Sequence, residues 1–353
     1  CDNAGTGDPY AFENAAELLD TPGEWFWDRR IGTLTYLLRP GEKVTSVEIP
    51  MVQTLVRLQG NKANPVHHIS FRGITFEQSN WSAPSRDGLI IIQATYLNTV
   101  DGSRFMPGAV EVRGEGSHDL AFERNVFRQA GATGLAVFKG ARDIEIVGNT
   151  VHDVAGSGIT VDTDPERYEQ SAPGSIRMTI TDNIVHDIGI DYTGAIGIFG
   201  GYIGESVIAR NHIYNTPYTA ISVGWGWTYL DNPSRNNRIE RNHIHDVMRV
   251  HDDGAAIYLL SKQPGTIVSS NYIHDIPRAP FAGAFPVAAI YLDNGAEQIT
   301  VENNLLERVE IKYNQNFWNE PEKGVFPAKG NIIREDVADR AAVIAGAGPA
   351  SRP

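Results

Sequence analysis

Short segments with alternating apolar and polar residues recur along the chain, and each is followed by an asparagine. The template is a strand such as DIEIV, then Asn, any residue, an apolar residue, two polar residues and a further apolar residue. A second apolar strand, such as GLAVF or AAIYL, follows each copy. Alternation of this kind predicts β-strands, and self-similarity along a chain predicts a repeat architecture. The seven copies have their asparagines at Asn125, Asn149, Asn183, Asn211, Asn242, Asn271 and Asn304.

The spacing of the copies indicates how each repeat is wound. The shortest interval is 24 residues, from Asn125 to Asn149, which suits three short strands and three turns. Asparagine suits such a turn because it tolerates left-handed backbone angles and its amide can bond to neighbouring backbone. We expect Ile74 to take the asparagine position of an earlier coil and Asn331 to begin a later one. The pattern therefore predicts an all-β fold, a parallel β-helix whose asparagines form one ladder.

The two ends of the chain lack this pattern. In residues 1–60, the segment ENAAELLD predicts a short helix that stops at Pro22 and Gly23, and EWFWD and TLTYLL predict a hairpin. We therefore divide the chain into an N-terminal helix and hairpin element (1–60), the β-helix (61–335) and a C-terminal tail with a short helix (336–353). A long loop at 77–107 interrupts the first coils and is expected to wall one end of a groove.

Histidine–aspartate pairs recur after the asparagine in four copies. Four occurrences at one structural position indicate a solvated turn of the scaffold and not a single set of ligands. We therefore assign a structural role to the pairs that begin at His152, His186, His245 and His274.

Five insertions depart from the regular coil. From the asparagine to the second strand the regular offset is 10 residues, but it is 13, 15 and 19 residues after Asn183, Asn242 and Asn271. Two further insertions follow the second strands that begin at Ile159 and Ile221. Loops held by a rigid scaffold are where function concentrates. The insertions therefore predict a groove on the outward face of the second-strand sheet, flanked by loops from both edges.

The candidate catalytic residues lie in these non-repeated parts. If Ile257 and Ile290 point inward, strand alternation turns Tyr258, Tyr291 and Asp293 outward. Asp162 is outward in the same register, but it lies four coils from Asp293, about 19 Å at about 4.8 Å per coil.

The inserted sequence HDDG lies one coil from Asp293 and supplies a second acid. Cleavage of a glycosidic bond needs two carboxyl groups beside that bond, one of them protonated. We therefore predict Asp253 and Asp293 as the catalytic pair, one of them with a raised pKa, and Asp252 or His251 as residues that tune their charge.

Further residues are candidates for substrate binding. Trp225 and Trp227, in GWGW, could stack on sugar rings, or could instead pack their own loop. His251, Tyr258, Tyr291 and Lys262 are the other expected contacts. A polysaccharide lyase is the alternative enzyme, with Lys262, Arg249 or Tyr258 as base, and a non-catalytic carbohydrate-binding or adhesin module is a third alternative.

Composition excludes several other classes of protein. The net charge of −13 disfavours nucleic-acid binding, and the single cysteine excludes an internal disulfide framework. No apolar run approaches the roughly 20 residues that a membrane span needs. We expect a monomer that needs no metal or other cofactor; calcium held by Asp252, Asp253 and backbone carbonyls is the weaker alternative.

Several longer segments resemble a known group of enzymes. ENAAELLDTPGEWFWDRRIGTLTYLLRPGE, GITFEQSNW, DDGAAIYLL and AAIYLDNG resemble right-handed parallel β-helix repeat proteins of bacterial polysaccharide breakdown, close to glycoside hydrolase family 141, with its fucosidase and xylanase activities. The resemblance covers nearly the whole chain. It implies a right-handed coil, and it maps the family's two motif aspartates onto Asp253 and Asp293, although Ala255 stands where glycine is more common.

The resemblance also sets expectations about the whole protein. It implies a glycoside hydrolase acting on a plant or microbial polysaccharide outside the cytoplasm, secreted or periplasmic. Members usually carry further β-helix upstream of the ENAAELLD segment, so we expect this chain to be truncated. Cys1 and the residues after it could also be a lipid-anchored start.

Overall fold

The protein forms two compact units in a computed structural model, 1–50 and 51–353. The first unit has a 3₁₀ helix at Ala16–Leu18 and an antiparallel hairpin of β1 (Trp25–Asp28) and β2 (Thr33–Tyr36). The hairpin is confirmed, and the predicted helix is reduced to a single turn. The residues that the structure describes are 15–84, 88–90, 93, 96–100, 102–162, 174–226, 230–280, 282–316 and 329–350.

The second unit is built on three long sheets of parallel strands, which we number by the order in which the chain visits them. Sheet 1 contains β4 (His67–Arg72), β10 (His118–Glu123), β13 (Arg142–Val147), β16 (Ser175–Thr181), β19 (Ile203–Gly204), β20 (Val207–Ala209), β23 (Arg238–Glu240), β26 (Ile267–Ser269), β29 (Thr300–Glu302) and β32 (Ile332–Arg334). Sheet 2 contains β5 (Thr75–Ser79), β11 (Val126–Ala130), β14 (Thr150–Val151), β17 (Ile184–His186), β21 (His212–Tyr214), β24 (His243–His245), β27 (Tyr272–Ile276) and β30 (Leu305–Val309). Sheet 3 contains β3 (Val56–Gln59), β9 (Gly108–Arg113), β12 (Thr133–Val137), β15 (Ile159–Val161), β18 (Ile198–Gly200), β22 (Ile221–Val223), β25 (Gly254–Leu259), β28 (Val287–Leu292) and β31 (Ile311–Gln315).

The chain passes through sheets 1, 2 and 3 in each coil and then begins the next coil. Every strand pairs in parallel with the strand one coil away, as β22, β25 and β28 do in sheet 3. This is the predicted right-handed parallel β-helix. Its interior is filled by inward side chains such as Ile221, Ile257 and Ile290, which lie in one register and are 0–1% exposed.

The predicted asparagine ladder runs along the turn between sheets 1 and 2. Asn211 Oδ1 accepts hydrogen bonds from the backbone N–H (3.0 Å) and the side-chain amide (2.9 Å) of Asn183. Asn211 Nδ2 donates to the backbone carbonyl of Ile180 at 2.9 Å and to Asn242 Oδ1 at 3.0 Å. The same links join all seven asparagines, which confirms the ladder.

Three details of the ladder refine the sequence interpretation. Ile74 does occupy the asparagine position, because its N–H donates to Asn125 Oδ1 at 3.0 Å. The assignment of Asn331 was wrong: it precedes β32 in sheet 1, where its Oδ1 accepts from the N–H of Ile299. The left-handed residue of the turn is the one before the asparagine, such as Arg210 (φ 52°), so the asparagine contributes its amide and not its backbone angle.

The β-helix begins earlier than predicted, and the long loop between its first coils contains strands of its own. Strand β3 pairs with β9, so the solenoid begins before residue 60, and the compact units divide at Pro50. The long loop at 77–107 contains a small antiparallel sheet of β6 (Gly88–Ile90), β7 (Tyr96–Thr99) and β8 (Gly102–Phe105).

The C-terminal tail forms the predicted short helix, α1 (Arg340–Gly346). Its N-terminus is capped by Asp339, whose side chain accepts from the N–H of Ala342 at 3.0 Å. In the part of the chain that the structure describes, no helix is long and apolar enough to cross a membrane.

Loss of one ladder amide should destabilise the coil strongly. Asn211→Ala removes the acceptor of two buried donors on Asn183 and the donor to the Ile180 carbonyl. Because each buried polar group without a partner costs about 1–3 kcal/mol, we expect the free energy of unfolding to fall by about 3 kcal/mol or more. Chemical denaturation measures this change. The control is Asn64→Ala, at an exposed turn, and equal losses from both variants would contradict a special role for the ladder.

Candidate active site

The insertions lie at the two edges of sheet 3, as predicted. Residues 187–197, 246–253 and 277–286 connect strands of sheet 2 to strands of sheet 3, so they stack at one corner. Residues 162–174 and 224–237 leave the opposite edge of sheet 3 toward sheet 1. Within them, 163–173 and 227–229 lie outside the described residues. Among the described residues, non-repeated segments therefore leave sheet 3 at both of its edges.

The register of sheet 3 fixes which side chains share a column on that face. Tyr258 and Tyr291 are direct partners in neighbouring strands, and their rings meet edge to face with centroids 5.0 Å apart. Asp293 is the first residue after β28. It is aligned with Asn316, because the residues just before them, Leu292 and Gln315, are register partners. The same alignment puts Asp162 four coils from Asp293, which keeps Asp162 out of a pair with it.

The Asp293 carboxylate is buried and accepts a hydrogen bond on each oxygen. Tyr258 Oη donates to Oδ2, and Asn316 Nδ2 donates to Oδ1 at 2.5 Å. The residue is only 5% exposed. Two side chains from neighbouring strands therefore fix the orientation of this carboxyl group.

Asp253 enters the same face from the corner insertion and has a different environment. Burial, and after it the negative charges of Asp293 and Asp252, raise the pKa of the Asp253 carboxyl to about 6. Its backbone is left-handed (φ 53°), and its carbonyl accepts a hydrogen bond from Tyr218 Oη at 2.6 Å. The raised pKa agrees with the expectation for one member of the pair, whose catalytic roles stay predictions.

Asp252 and His251 connect the stacked insertions to one another. Asp252 Oδ2 accepts from the N–H of Phe285 at 3.0 Å, in the following insertion. His251 Nε2 lies 2.8 Å from Thr193 Oγ1, in the preceding one, and burial lowers the pKa of the His251 imidazole. Each residue therefore joins loops of adjacent coils, which is consistent with a positioning role beside the predicted catalytic pair.

The two buried tyrosines are held as phenols. Burial and the charge of Asp293 keep the pKa of Tyr258 well above its usual value. Burial, Asp293 and Asp253 raise the pKa of Tyr291 in the same way. Both side chains are therefore suited to donate hydrogen bonds and poorly suited to abstract protons.

The other residues predicted to contact substrate do not share one environment. Trp225 is only 7% exposed. Its ring packs edge to face on the ring of Phe199, with centroids 6.0 Å apart, and Phe199 is aligned with Tyr258 in the outward column of sheet 3. This burial favours packing of the loop over an open stacking platform. Trp227 lies outside the described residues. Lys262 Nζ is paired with Asp231 at 2.6 Å, beyond the exit edge of sheet 3.

Sequence reasoning missed Tyr218 and Asn316. Tyr218 is completely buried one coil before Asp253 and donates a hydrogen bond to its main-chain carbonyl, which no pattern in the sequence marks. Asn316 could have been found by extending the alignment of second strands one coil further, to IKYNQN, where it takes the place of Asp293. A hydrogen bond between the side chains of Tyr218 and Gln93 also brings one residue of the 77–107 loop to this site.

The described residues do not assemble a metal site from these acids. The groups of three metal-ligating side chains close enough to share one ion contain neither Asp252 nor Asp253 among the described residues. Asp252 is instead engaged with the Phe285 amide. Catalysis without a metal stays a prediction.

Comparison with known proteins gives one family and two structural neighbours. The model described as "Right handed beta helix region" matches residues 56–169 and 167–306. A solved structure titled "Glycoside hydrolase" is similar with a TM-score of 0.84 and 28% sequence identity, covering 96% of this chain and 60% of that chain. The mannuronan C-5 epimerase AlgE6 A-module of Azotobacter vinelandii matches with a TM-score of 0.46 and 13% identity, over 79% of this chain and 72% of that one. No curated protein matches.

Neutralising Asp253 should stabilise the folded chain at neutral pH. A carboxyl whose pKa is raised by folding favours the folded state below its unfolded pKa, near 4, and that contribution is lost as the pH rises through about 6. The difference corresponds to about 3 kcal/mol. We therefore expect Asp253→Asn to be more stable than the wild type at pH values above about 7, by up to about 3 kcal/mol, with no gain near pH 4.

Denaturation at the two pH values measures this difference, and Asp246→Asn, on the exposed repeated turn, is the control. A gain that is equal at both pH values would contradict the raised pKa as its cause.

Trp225 should behave as a packing residue. Removal of a buried tryptophan ring costs about 3–5 kcal/mol, so Trp225→Ala should lower the free energy of unfolding by that amount. The matched control is Trp25→Ala, because Trp25 is 62% exposed. If Trp225→Ala instead keeps its stability and loses affinity for oligosaccharides, the ring is a stacking platform.

Proposed function

Since this chain belongs to the right-handed β-helix family, we propose that it is a glycoside hydrolase that cleaves a polysaccharide on the outward face of sheet 3. Asp253 and Asp293 are its catalytic carboxyl groups. The observation that carries the proposal is the unlike environment of these two acids on one face. Pairs of carboxyls whose surroundings push their pKa values apart are typical of acid and base assignments in glycosidases.

Asp253 is the general acid in this proposal. Its pKa of about 6 keeps a large fraction protonated in mildly acidic solution, so it can give its proton to the glycosidic oxygen as the C–O bond breaks. The leaving sugar then departs as a neutral alcohol. Tyr218 holds the backbone of Asp253 in its left-handed conformation, which makes Tyr218 a positioning residue.

Asp293 takes the second role on the opposite side of the bond. As an ionised carboxylate it either attacks the anomeric carbon or removes a proton from the attacking water. Tyr258 and Asn316 fix both of its oxygens, so little reorganisation is needed as charge develops at the sugar. The configuration of the first-formed product, read by NMR, distinguishes these two mechanisms.

The structural comparison supports the reaction class. The similar structure is titled "Glycoside hydrolase", and at 28% identity it is related over 96% of this chain. The chain spans only 60% of the length of that structure.

Two features disfavour the lyase alternative. Tyr258, a candidate base, is a phenol with a strongly raised pKa that donates to Asp293. Lys262 is paired with Asp231. A lyase would release unsaturated uronate products, whose ultraviolet absorbance separates the two reactions, and a binding module would retain sugar without turning it over.

Substitution of either acid should abolish hydrolysis without unfolding the coil. We expect Asp253→Asn and Asp293→Asn each to lower kcat/KM by about 10²–10⁴-fold, the usual contribution of acid–base groups. Wild-type kcat/KM should fall as the pH rises above about 6, because Asp253 must be protonated to act. A screen of polysaccharides and aryl glycosides, followed by kinetics on the best substrate, measures both effects.

Asp246→Asn is the matched control, since Asp246 lies on the repeated turn directly after β24 and is exposed. Equal losses from all three variants would mean that scaffold has been mistaken for site. Turnover that survives in both Asp253→Asn and Asp293→Asn would reject the proposed pair.

A further inference from the structure

A second cluster of chemically active side chains lies on the outer face of sheet 2, away from the acids of sheet 3. Strand β24 turns His243 and His245 to this face, because they are two residues apart. His212 is the register partner of His243 in the preceding coil, and His274 is the partner of His245 in the following coil. All four histidines are partly buried.

The rings meet along two diagonals between adjacent coils. His212 Nε2 lies 2.9 Å from His245 Nε2, and His243 Nε2 lies 2.8 Å from His274 Nε2. The rings of His212 and His243 stack at 4.6 Å, and those of His245 and His274 stack at 4.9 Å. One ligand atom each from His212, His243 and His245 falls within 4.8 Å of the others.

Carboxylates behind two of the rings set their tautomer. His245 Nδ1 lies 2.7 Å from Asp246 Oδ2, and His274 Nδ1 lies 2.6 Å from Asp275 Oδ2. An ionised carboxylate only accepts, so each Nδ1 carries the proton and each neutral ring keeps its lone pair on Nε2. Those lone pairs point at the diagonal partners. A carboxylate behind an imidazole is the usual outer shell of a metal-binding histidine.

We propose that His212, His243, His245 and His274 form a binding site for a divalent transition-metal ion that prefers imidazole, such as Zn²⁺, Ni²⁺ or Cu²⁺. Imidazole nitrogen is a preferred ligand of these ions, and geometry selects among them. In the metal-free chain, His212 and His243 donate Nε2–H to the lone pairs of His245 and His274. A bound ion takes the place of these two hydrogen bonds, as the donor rings move their proton to Nδ1.

The distances suit an ion after a small adjustment. With metal–nitrogen bonds of about 2.0–2.1 Å, two ligands at a right angle are about 2.9 Å apart and two ligands of a tetrahedron about 3.4 Å apart. The diagonal separations of 2.8 and 2.9 Å match the first value. Ligand atoms of His212, His243 and His245 lie within 4.8 Å of one another, a group that does not include His274. The two diagonals must therefore also move toward each other, by about 1 Å, before one ion can bind all four rings.

The surroundings include both favourable and opposing charge. Asp246 and Asp275 contribute two carboxylates, and Arg308 opposes them through its bond to Asp275. The segment after α1 borders the cluster, since the N–H of Gly348 donates to the Arg241 carbonyl at 2.9 Å and Gly348 lies against His243. A bound ion would join three consecutive coils at this point, so it should also stabilise the fold.

Titration of the full chain with Zn²⁺ tests the site. We expect one ion per chain by calorimetry and a melting temperature that rises with Zn²⁺ concentration. The double variant His243→Gln/His245→Gln should lose the specific binding, and Asp246→Asn should weaken it by about tenfold, as loss of an outer-shell carboxylate does. His186→Gln is the matched control: His186 is also bonded to an aspartate and stacked in the same sheet, but its stacking partners are His152 and Tyr214.

Electron paramagnetic resonance of the wild type with Cu²⁺ gives a readout that needs no variant. We expect splitting from at least two imidazole nitrogens. The proposal is overturned if the spectrum is that of an ion without nitrogen ligands, if Zn²⁺ does not bind, or if the double variant binds as tightly as the wild type and His186→Gln.

Discussion

The asparagine ladder is the constraint on which the rest of the molecule depends. Every coil must turn between sheets 1 and 2 while its backbone N–H and carbonyl groups are buried, and such groups are costly without partners. One asparagine per coil satisfies the N–H of the asparagine one coil earlier and a strand carbonyl of that same earlier coil, as Asn211 does for Asn183 and Ile180. Because each amide also bonds to the next amide, the coils can stack in only one register. A slip of one residue would turn Tyr258 and Tyr291 into the core.

That fixed register allows irregular loops to form a defined site. The corner insertions contact one another in sequence, through Thr193 and His251 and then through Asp252 and Phe285. Arg278 extends the chain of contacts, because it donates to backbone carbonyls of its own loop and pairs with Glu310 of the next coil. A wall of this kind needs no repeat of its own. It is held in place because the strands beneath it cannot shift.

Much of the architecture is predictable from the sequence, and the limit is a physical one. A period of two and a spacing of 24 residues identify the coil, the ladder and the outward position of Asp293, since each depends on local geometry repeated many times. Contacts between different insertions are not repeated. The burial of Trp225 and the hydrogen bond from Tyr218 to the Asp253 carbonyl therefore correspond to no pattern in the sequence. The repeat identifies His245 and His274 as copies of one turn position, but their contacts run diagonally to His212 and His243 of adjacent coils, which a comparison of single copies does not detect.

The candidate site on sheet 3 also destabilises the coils that carry it. Asp253, Asp252 and Asp293 bring three acids to one partly buried region, and their mutual repulsion opposes folding at neutral pH. The left-handed backbone of Asp253 adds a local cost, of the kind that persists where surrounding structure over-determines it. In a solenoid each coil is stabilised by its two neighbours, so an unfavourable coil in the middle can be held by regular coils on both sides. Asp253 and Asp293 follow Asn242 and Asn271, the fifth and sixth of the seven ladder asparagines, so each acid has a bonded coil on both sides that can offset its cost.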